Sequence, residues 1–233
     1  VVHLAGLPSD DHCNDNAQEC IDINVVGTLN VLNAALKKNA KQFIFASTEW
    51  VYDRFENGIA KKEDDVIDIA SLSSEYALSK LVSEANLRQQ HMIGSCSITI
   101  LRFGIIYGPH SGPSSAVETF LNAISKDKDL IVNSLQTGRC FIHMSDIAKG
   151  ILASVGLPGF EIINLQADRL VTLQEIIETS AELLGKTPNV KETDPDSPSI
   201  RLVSNAKAKK ILDWQPEISF EKGLESVRNY YGL

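Results

Sequence analysis

Tyr76 and Lys80 stand four residues apart in the run Tyr76-Ala77-Leu78-Ser79-Lys80. On a helix that spacing puts the phenol and the ammonium on one face. A cation beside a phenol favours phenolate, lowering a pKa that is otherwise about 10 toward the range of a working general base. Thr48 follows the apolar run Phe43-Ile44-Phe45-Ala46-Ser47, so a strand end could offer its hydroxyl to a substrate hydroxyl. Taken alone, the spacing fits a solvated Tyr and Lys on a helix surface as well, because YxxxK occurs in many helices.

The elements that must position these residues alternate. Val1-Val2-His3-Leu4-Ala5-Gly6 reads as a buried strand ending in small residues, which suits the middle of a parallel sheet. It opens the chain without Met, and an upstream portion is expected. Residues 14–38 carry Ala17, Cys20, Ile21, Val25, Leu29, Leu32 and Leu36 at helical spacing, and residues 41–47 form the next strand. A second helix is expected over 74–92 behind a Ser-rich N-cap, and a third strand over 97–103. Strand–helix–strand–helix–strand is the pattern of a parallel sheet covered by helices. The polar stretch from Tyr52 to Glu75 is long for a loop, and loops of that length usually carry function or move. Past residue 108 the pattern changes. Helices are expected near 115–126, 146–154, 172–185, 205–212 and 219–231, and strands near 129–133 and 139–144, as a second lobe built from short insertions.

Hydrophobic residues make up 43% and charged residues 22%, ordinary for a globular protein, and the length allows a sizeable core. The net charge of −8 argues against nucleic acid or an anionic membrane as partner, while allowing a local basic pocket for phosphate. No apolar run reaches the roughly 20 residues of a membrane helix, and no signal peptide is expected. Cys13, Cys20, Cys96 and Cys140 form no CxxC and no metal-ligand spacing, so reduced thiols in a cytoplasmic protein and no metal are expected.

Several blocks, in order along almost the whole chain, resemble the extended short-chain dehydrogenase/reductases, specifically the NAD-dependent sugar epimerase/dehydratase family with UDP-glucose 4-epimerase-like features. They are VVHLAGLP at 1–8, NVVGTLNVL at 24–32, FIFASTEWVYD at 43–53, YALSK at 76–80, LRFGIIYGP at 101–109, GRCFIHMSDIAKGI at 138–151 and AKKILDWQPEISFEKGL at 208–224. The resemblance implies an α/β fold: a Rossmann-type doubly wound parallel sheet, N-terminally truncated here, with a small mixed α/β substrate-binding lobe. Residues 1–108 would be the partial NAD(P)-binding domain, and 109–233 mainly the substrate lobe with parts returning to the first domain. The family's Gly-rich turn, which receives a pyrophosphate at a helix N-terminus, would lie upstream, and no GxxGxxG occurs in this sequence.

The same resemblance implies roles for named residues. Tyr76 would be the acid/base, taking the proton of a sugar hydroxyl as hydride leaves its carbon for nicotinamide. Lys80 would tune Tyr76 and bond the nicotinamide ribose, and Thr48 would hold the reacting oxygen. Leu4, Ala5, Gly6, Asn24, Ser47, Gly104 and Ile105, with Tyr76 and Lys80, would line NAD, with NADP left open. Thr48, Glu49, Trp50 and Arg139 would meet the substrate, Arg139 where the family often places an arginine on a nucleotide-sugar phosphate. Blander roles compete: His3 and His143 packing or bonding locally, Asn24 tying backbone together, Arg139 on the surface, and Trp214, Tyr230 and Tyr231 packing.

Departures from the family pattern narrow the reaction. Sugar-nucleotide 4,6-dehydratases follow the Thr with Asp then Glu, and here Glu49 and Trp50 stand there. An indole cannot abstract a proton, so dehydration is disfavoured, as is the decarboxylation of relatives that keep that Glu. Ile105 replaces an Asn common in epimerases, and Asp194-Pro195-Asp196-Ser197 replaces a basic phosphate motif. A carboxylate there would repel a pyrophosphate by about 1 kcal/mol at a partly solvated site. The expected activity is epimerisation of a sugar or nucleotide sugar, with keto-sugar reduction or dehydrogenation, or a non-catalytic scaffold, as alternatives. The resemblance also implies a homodimer that pairs the helices of 14–38 and 74–92.

Overall fold

The structure, a computed structural model, describes residues 1–8, 10–56, 58–111 and 115–233. Strand β1 (Val2–His3) leads to helices α1 (Asp10–Asp15) and α2 (Ala17–Ile21), a π-helical turn (Asp22–Val26) and α3 (Gly27–Lys37). Strand β2 (Gln42–Thr48) ends in a 3-10 turn (Glu49–Val51), and α4 (Glu75–Met92) and β3 (Ser97–Phe103) come after the long loop. Then follow β4 (Ile105–Tyr107), α5 (Ala116–Ser125), β5 (Leu130–Val132), β6 (Gly138–Arg139), β7 (Phe141–His143) and α6 (Met144–Ala153). The last part holds β8 (Phe160–Leu165), β9 (Val171–Thr172), α7 (Leu173–Leu184), β10 (Val190–Glu192), α8 (Ala206–Leu212) and α9 (Phe220–Tyr231).

Strand β2 shows how the sequence builds the sheet. Its near-continuous apolar run suits a strand covered on both faces, and six of its seven residues are buried. Side chains alternate: Phe43 and Phe45 pack with Leu32, Ala35 and Leu87 of α3 and α4. Ile44 points the other way, into a cluster with Ile147, Leu165, Leu212 and Trp214 beneath α6 and α8. The sheet is four-stranded in the order β1-β2-β3-β8, and every pairing is parallel. The first strand is shorter than the run of six residues expected, covering only Val2 and His3. Strand β8, from the second half of the chain, closes the far edge of this sheet.

The second lobe assembles from small pieces. α5 and α7 pack together, with Tyr107, Leu121, Ile176 and Leu224 in one cluster and Ile124, Leu130 and Val132 in another. Strands β5 and β10 pair in parallel, as do β4 and β7, while β6 and β9 pair antiparallel. No helix among the described residues is long and apolar enough to cross a membrane.

The cysteines differ from expectation. Cys13 and Cys20 are both buried and joined as a disulfide, and Cys96 and Cys140 are free. A continuous helix would hold residues seven apart about 10 Å from each other. Here the chain breaks between α1 and α2 at Asn16, whose side chain caps α2, and the two Cα atoms close to 5.0 Å. Spacing read as a single helix over 14–38 concealed that break.

Candidate active site

The C-terminal end of β2 and the N-terminal end of α4 meet at one edge of the sheet, where parallel sheets bind their ligands. Thr48 is the last residue of β2, and its hydroxyl accepts from Trp50 N at 3.2 Å, starting the 3-10 turn. Ser74 caps α4, accepting from Ala77 N at 3.0 Å while donating to Asp10 at 2.5 Å. That cap fixes the first turn of α4, which carries Tyr76, and one turn further on lies Lys80. Tyr76 and Thr48 are hydrogen-bonded side chain to side chain.

The ammonium of Lys80 is buried. It donates to Ala46 O at 3.0 Å and sits 4.9 Å from the centre of the Phe45 ring and 5.9 Å from that of Tyr76. Burial pulls its pKa down to about 8, opposed by Glu84. Burial raises the Tyr76 phenol above its ordinary value, and the hydrogen bond with Thr48 opposes that rise. The direction of the Tyr76 shift is set by desolvation at the ring, while the ammonium of Lys80 donates to a backbone carbonyl.

A cavity of about 480 Å³ opens at this edge, lined by Ser47, Thr48, Trp50, Tyr76, Gly104 and Ile105 among others. That volume lies within the ordinary range for small-molecule sites. Sequence reasoning missed five of its walls: Pro8, Asp10, Phe103, Ile106 and Ser115. Asp10 carried only the weak signal of an acid in a first helical turn, and Ser115 only that of a helix cap, since both reach the cavity through chain folding.

Deeper, Gly6 lies against Asn24 and Lys80. A Cβ added to Gly6 would stand 2.8 Å from Asn24 Oδ1 and 3.3 Å from Lys80 Nζ. Asn24 holds the segment after β1 from both sides, accepting from Leu7 N at 2.8 Å and donating to Leu7 O at 3.3 Å and Ser79 Oγ at 2.9 Å. Leu4 and Ala5 are exposed beside it. Ser47 reaches the cavity wall yet donates its hydroxyl to Glu84 at 2.5 Å.

Two residues expected at the substrate are turned away from the cavity. Glu49 is fully buried, with its Oε2 accepting from the amide nitrogen of Gln166 at 3.1 Å and its Oε1 without a hydrogen-bond partner. Burial lifts its carboxyl to about 7, opposed by the charges of Arg201 and Arg139. Arg139 donates to Ser199 O at 2.6 Å, Ser199 Oγ at 3.1 Å and Gly138 O at 2.8 Å, and burial and Arg201 lower it to about 10. Arg201, unmarked in the sequence, stacks over Trp50 at 4.7 Å and links the cavity wall to this cluster. His3 bonds Thr28 at 3.1 Å between two phenylalanines, His143 caps α6, and Trp214 donates to Asp146 O at 3.0 Å, all local roles. Tyr230 and Tyr231 stack edge-on at 5.3 Å.

Residues 1–165 match the NAD dependent epimerase/dehydratase family. The chain belongs to that family. Among its curated relatives is UDP-glucuronate 4-epimerase of Thermodesulfobacterium geofontis, 29% identical over 99% of this chain and 71% of that protein. Another is mouse dTDP-D-glucose 4,6-dehydratase, 26% identical over 99% of this chain and 67% of that protein. Of solved structures, the UDP-glucose 4-epimerase of Thermus thermophilus in complex with NAD superposes with a TM-score of 0.87 at 23% identity, covering all of this chain and 77% of that one. This epimerase/dehydratase chain thus has the Rossmann-type fold of an NAD-dependent enzyme family. Its residues fit the cofactor: Gly6, tight against Asn24 and the buried Lys80, lies next to an open cavity at the strand ends.

Proposed function

We propose that this epimerase/dehydratase chain inverts a hydroxyl-bearing carbon of a sugar, in the form of a nucleotide sugar, with NAD retained between the two halves of the reaction. The observation that supports this most is the joint presence of Thr48 and Tyr76 in one cavity wall with Lys80 beneath, while Glu49 is buried away from it. Dehydration needs a further acid and base after the threonine. Glu49 does not reach the cavity, and Trp50, which does, holds no exchangeable proton of use. Among the described lining residues the titratable groups are Tyr76 and Asp10, and Asp10 is held by Ser74.

Leu4, Ala5, Gly6 and Asn24 would hold one side of the cofactor, Lys80 its ribose hydroxyls, and Ser47, Gly104 and Ile105 its nicotinamide end. Bound there, NAD would supply the acceptor and then the donor of the hydride exchanged with the sugar carbon. Thr48 holds the reacting sugar oxygen. Tyr76 takes the proton of that hydroxyl as the carbon is oxidised, then returns it when the keto sugar is reduced on its other face. The ammonium of Lys80 stabilises the phenolate formed, which burial alone disfavours. We place Trp50 against the sugar, and Arg139 at its phosphate once freed from Ser199.

Incubation with NAD and a panel of UDP-sugars tests the reading. The expected outcome is sugar interconversion with no net change in absorbance at 340 nm, and a loss of about 10²–10⁴-fold in kcat for Tyr76→Phe. Stoichiometric reduction of the cofactor, or a dehydrated product, would sink it. We also propose that two copies pair through the segments 14–38 and 74–92, supported by the exposed Ile23, Val26 and Met92.

A further inference from the structure

Under the floor of the cavity lies a carboxylate that the chemistry above does not use. Glu84 is 3% exposed and stands one helical turn after Lys80 on α4. Its Oε1 accepts from Ser47 Oγ at 2.5 Å and from Arg102 Nε at 3.0 Å, and its Oε2 accepts from Arg102 Nη2 at 2.6 Å. Arg102 is also 3% exposed, and its Nη1 donates to Tyr52 Oη at 2.6 Å, which donates to Asn164 Oδ1 at 3.1 Å. Ser47, Arg102 and Asn164 are register partners across β2, β3 and β8, so the network is one row of the sheet capped by α4.

Ion pairs buried this deeply are weak evidence of stability. Removing two charges from water costs several kcal/mol, and well-packed apolar replacements are often as stable. What distinguishes this pair is what it connects. Ser47 is the neighbour of Thr48, Tyr52 follows the turn that holds Trp50, and Glu84 shares a helix with Tyr76 and Lys80.

We propose that Glu84 is a positioning residue of the active site: one buried carboxylate, oriented by Arg102, that clamps the Thr48 end of β2 to α4 and supplies the counter-charge of Lys80. The proposal rests on the reading in which Tyr76 and Lys80 carry the chemistry. Lys80 needs such a partner because burial works against its charge, and Glu84 is what opposes that burial. Facing the ammonium from the packed elements are the Phe45 ring and the Ala46 carbonyl of β2, His3 of β1, and Tyr76 of its own helix. Burial and Lys80 both push the pKa of His3 down. Arg102 lies behind Glu84, paired with it at 2.6 Å.

The direct test is the titration of Lys80, followed by the Cε resonance in protein labelled with ¹³C-lysine and assigned through Lys80→Arg. Glu84→Gln is expected to lower the midpoint by about one pH unit. Glu84→Asp and Arg102→Lys keep the carboxylate and are expected to stay near the parent. If Glu84→Gln fails to fold, Glu84→Leu combined with Arg102→Leu replaces the pair by apolar side chains, and a smaller lowering in the same direction is expected, because the charge of Arg102 leaves with the carboxylate. A midpoint unchanged without the carboxylate, or an equal shift in Arg102→Lys, overturns the proposal. The titration needs no turnover, so absence of epimerase activity leaves it readable. Where activity is measured, the alkaline limb of kcat is expected to move down by the same amount, with KM little changed.

Discussion

Glu49 is the residue whose chemistry depends most on its surroundings. Its carboxyl is raised from 4.5 to about 7 by burial, with Arg201 and Arg139 opposing. An acid with a raised folded-state pKa holds its proton more tightly folded than unfolded across that window. Its contribution to stability is therefore greatest below 4.5 and is lost as pH rises toward 7, an effect of at most about 3 kcal/mol. Glu49→Gln keeps the shape and removes the titration. The variant is expected to melt above the parent at pH 8, with the difference closing by pH 4.5, in thermal melts across that range. A constant difference would place the stabilisation elsewhere. Tyr76 shows the opposite limit of legibility: its spacing from Lys80 and the family resemblance made it a candidate acid/base, but the sign of its pKa shift is set by burial that no spacing reveals.

At the level of elements, local signals were strong where one periodicity ran uninterrupted. α4, β3 and the five helices of the second half lie within a few residues of where hydrophobic spacing and caps put them. The segment after β1 was read as one helix and is instead two short helices, a π-helical turn and a longer helix. Its break brings Cys13 to Cys20. That bond makes an element-scale prediction: denatured, unreduced protein should titrate two thiols, from Cys96 and Cys140, and four after reduction. Loss of so short a loop closure is expected to cost on the order of 2 kcal/mol. Four reactive thiols before reduction would show the pair to be open.

At the scale of the whole molecule, two layers of helices cover a sheet whose last strand comes from the second half of the chain, so the lobes are stitched together at β8. The apolar residues Ile23 and Val26 are 40% and 45% accessible on the helical segment after β1. Pairing through that face predicts a dimer by light scattering, and Ile23→Glu should shift it to monomer while leaving the melting of the fold largely intact. An unchanged dimer would put the interface elsewhere.

The resemblance of ordered motifs to a family pointed to the trio Thr48, Tyr76 and Lys80, while composition and alternation determined the class of fold and the succession of elements. Those depend on periodicity and local chemistry, which each stretch of chain carries by itself. The tertiary structure alone decided which side chains share a cavity and which are buried behind it. It turned Glu49 inward, occupied Arg139 with Ser199, stacked Arg201 on Trp50, and set Ser47, Arg102 and Asn164 in one row above Glu84. Those relations join residues up to about 150 positions apart. They follow from strand register and desolvation, which depend on the whole packed chain.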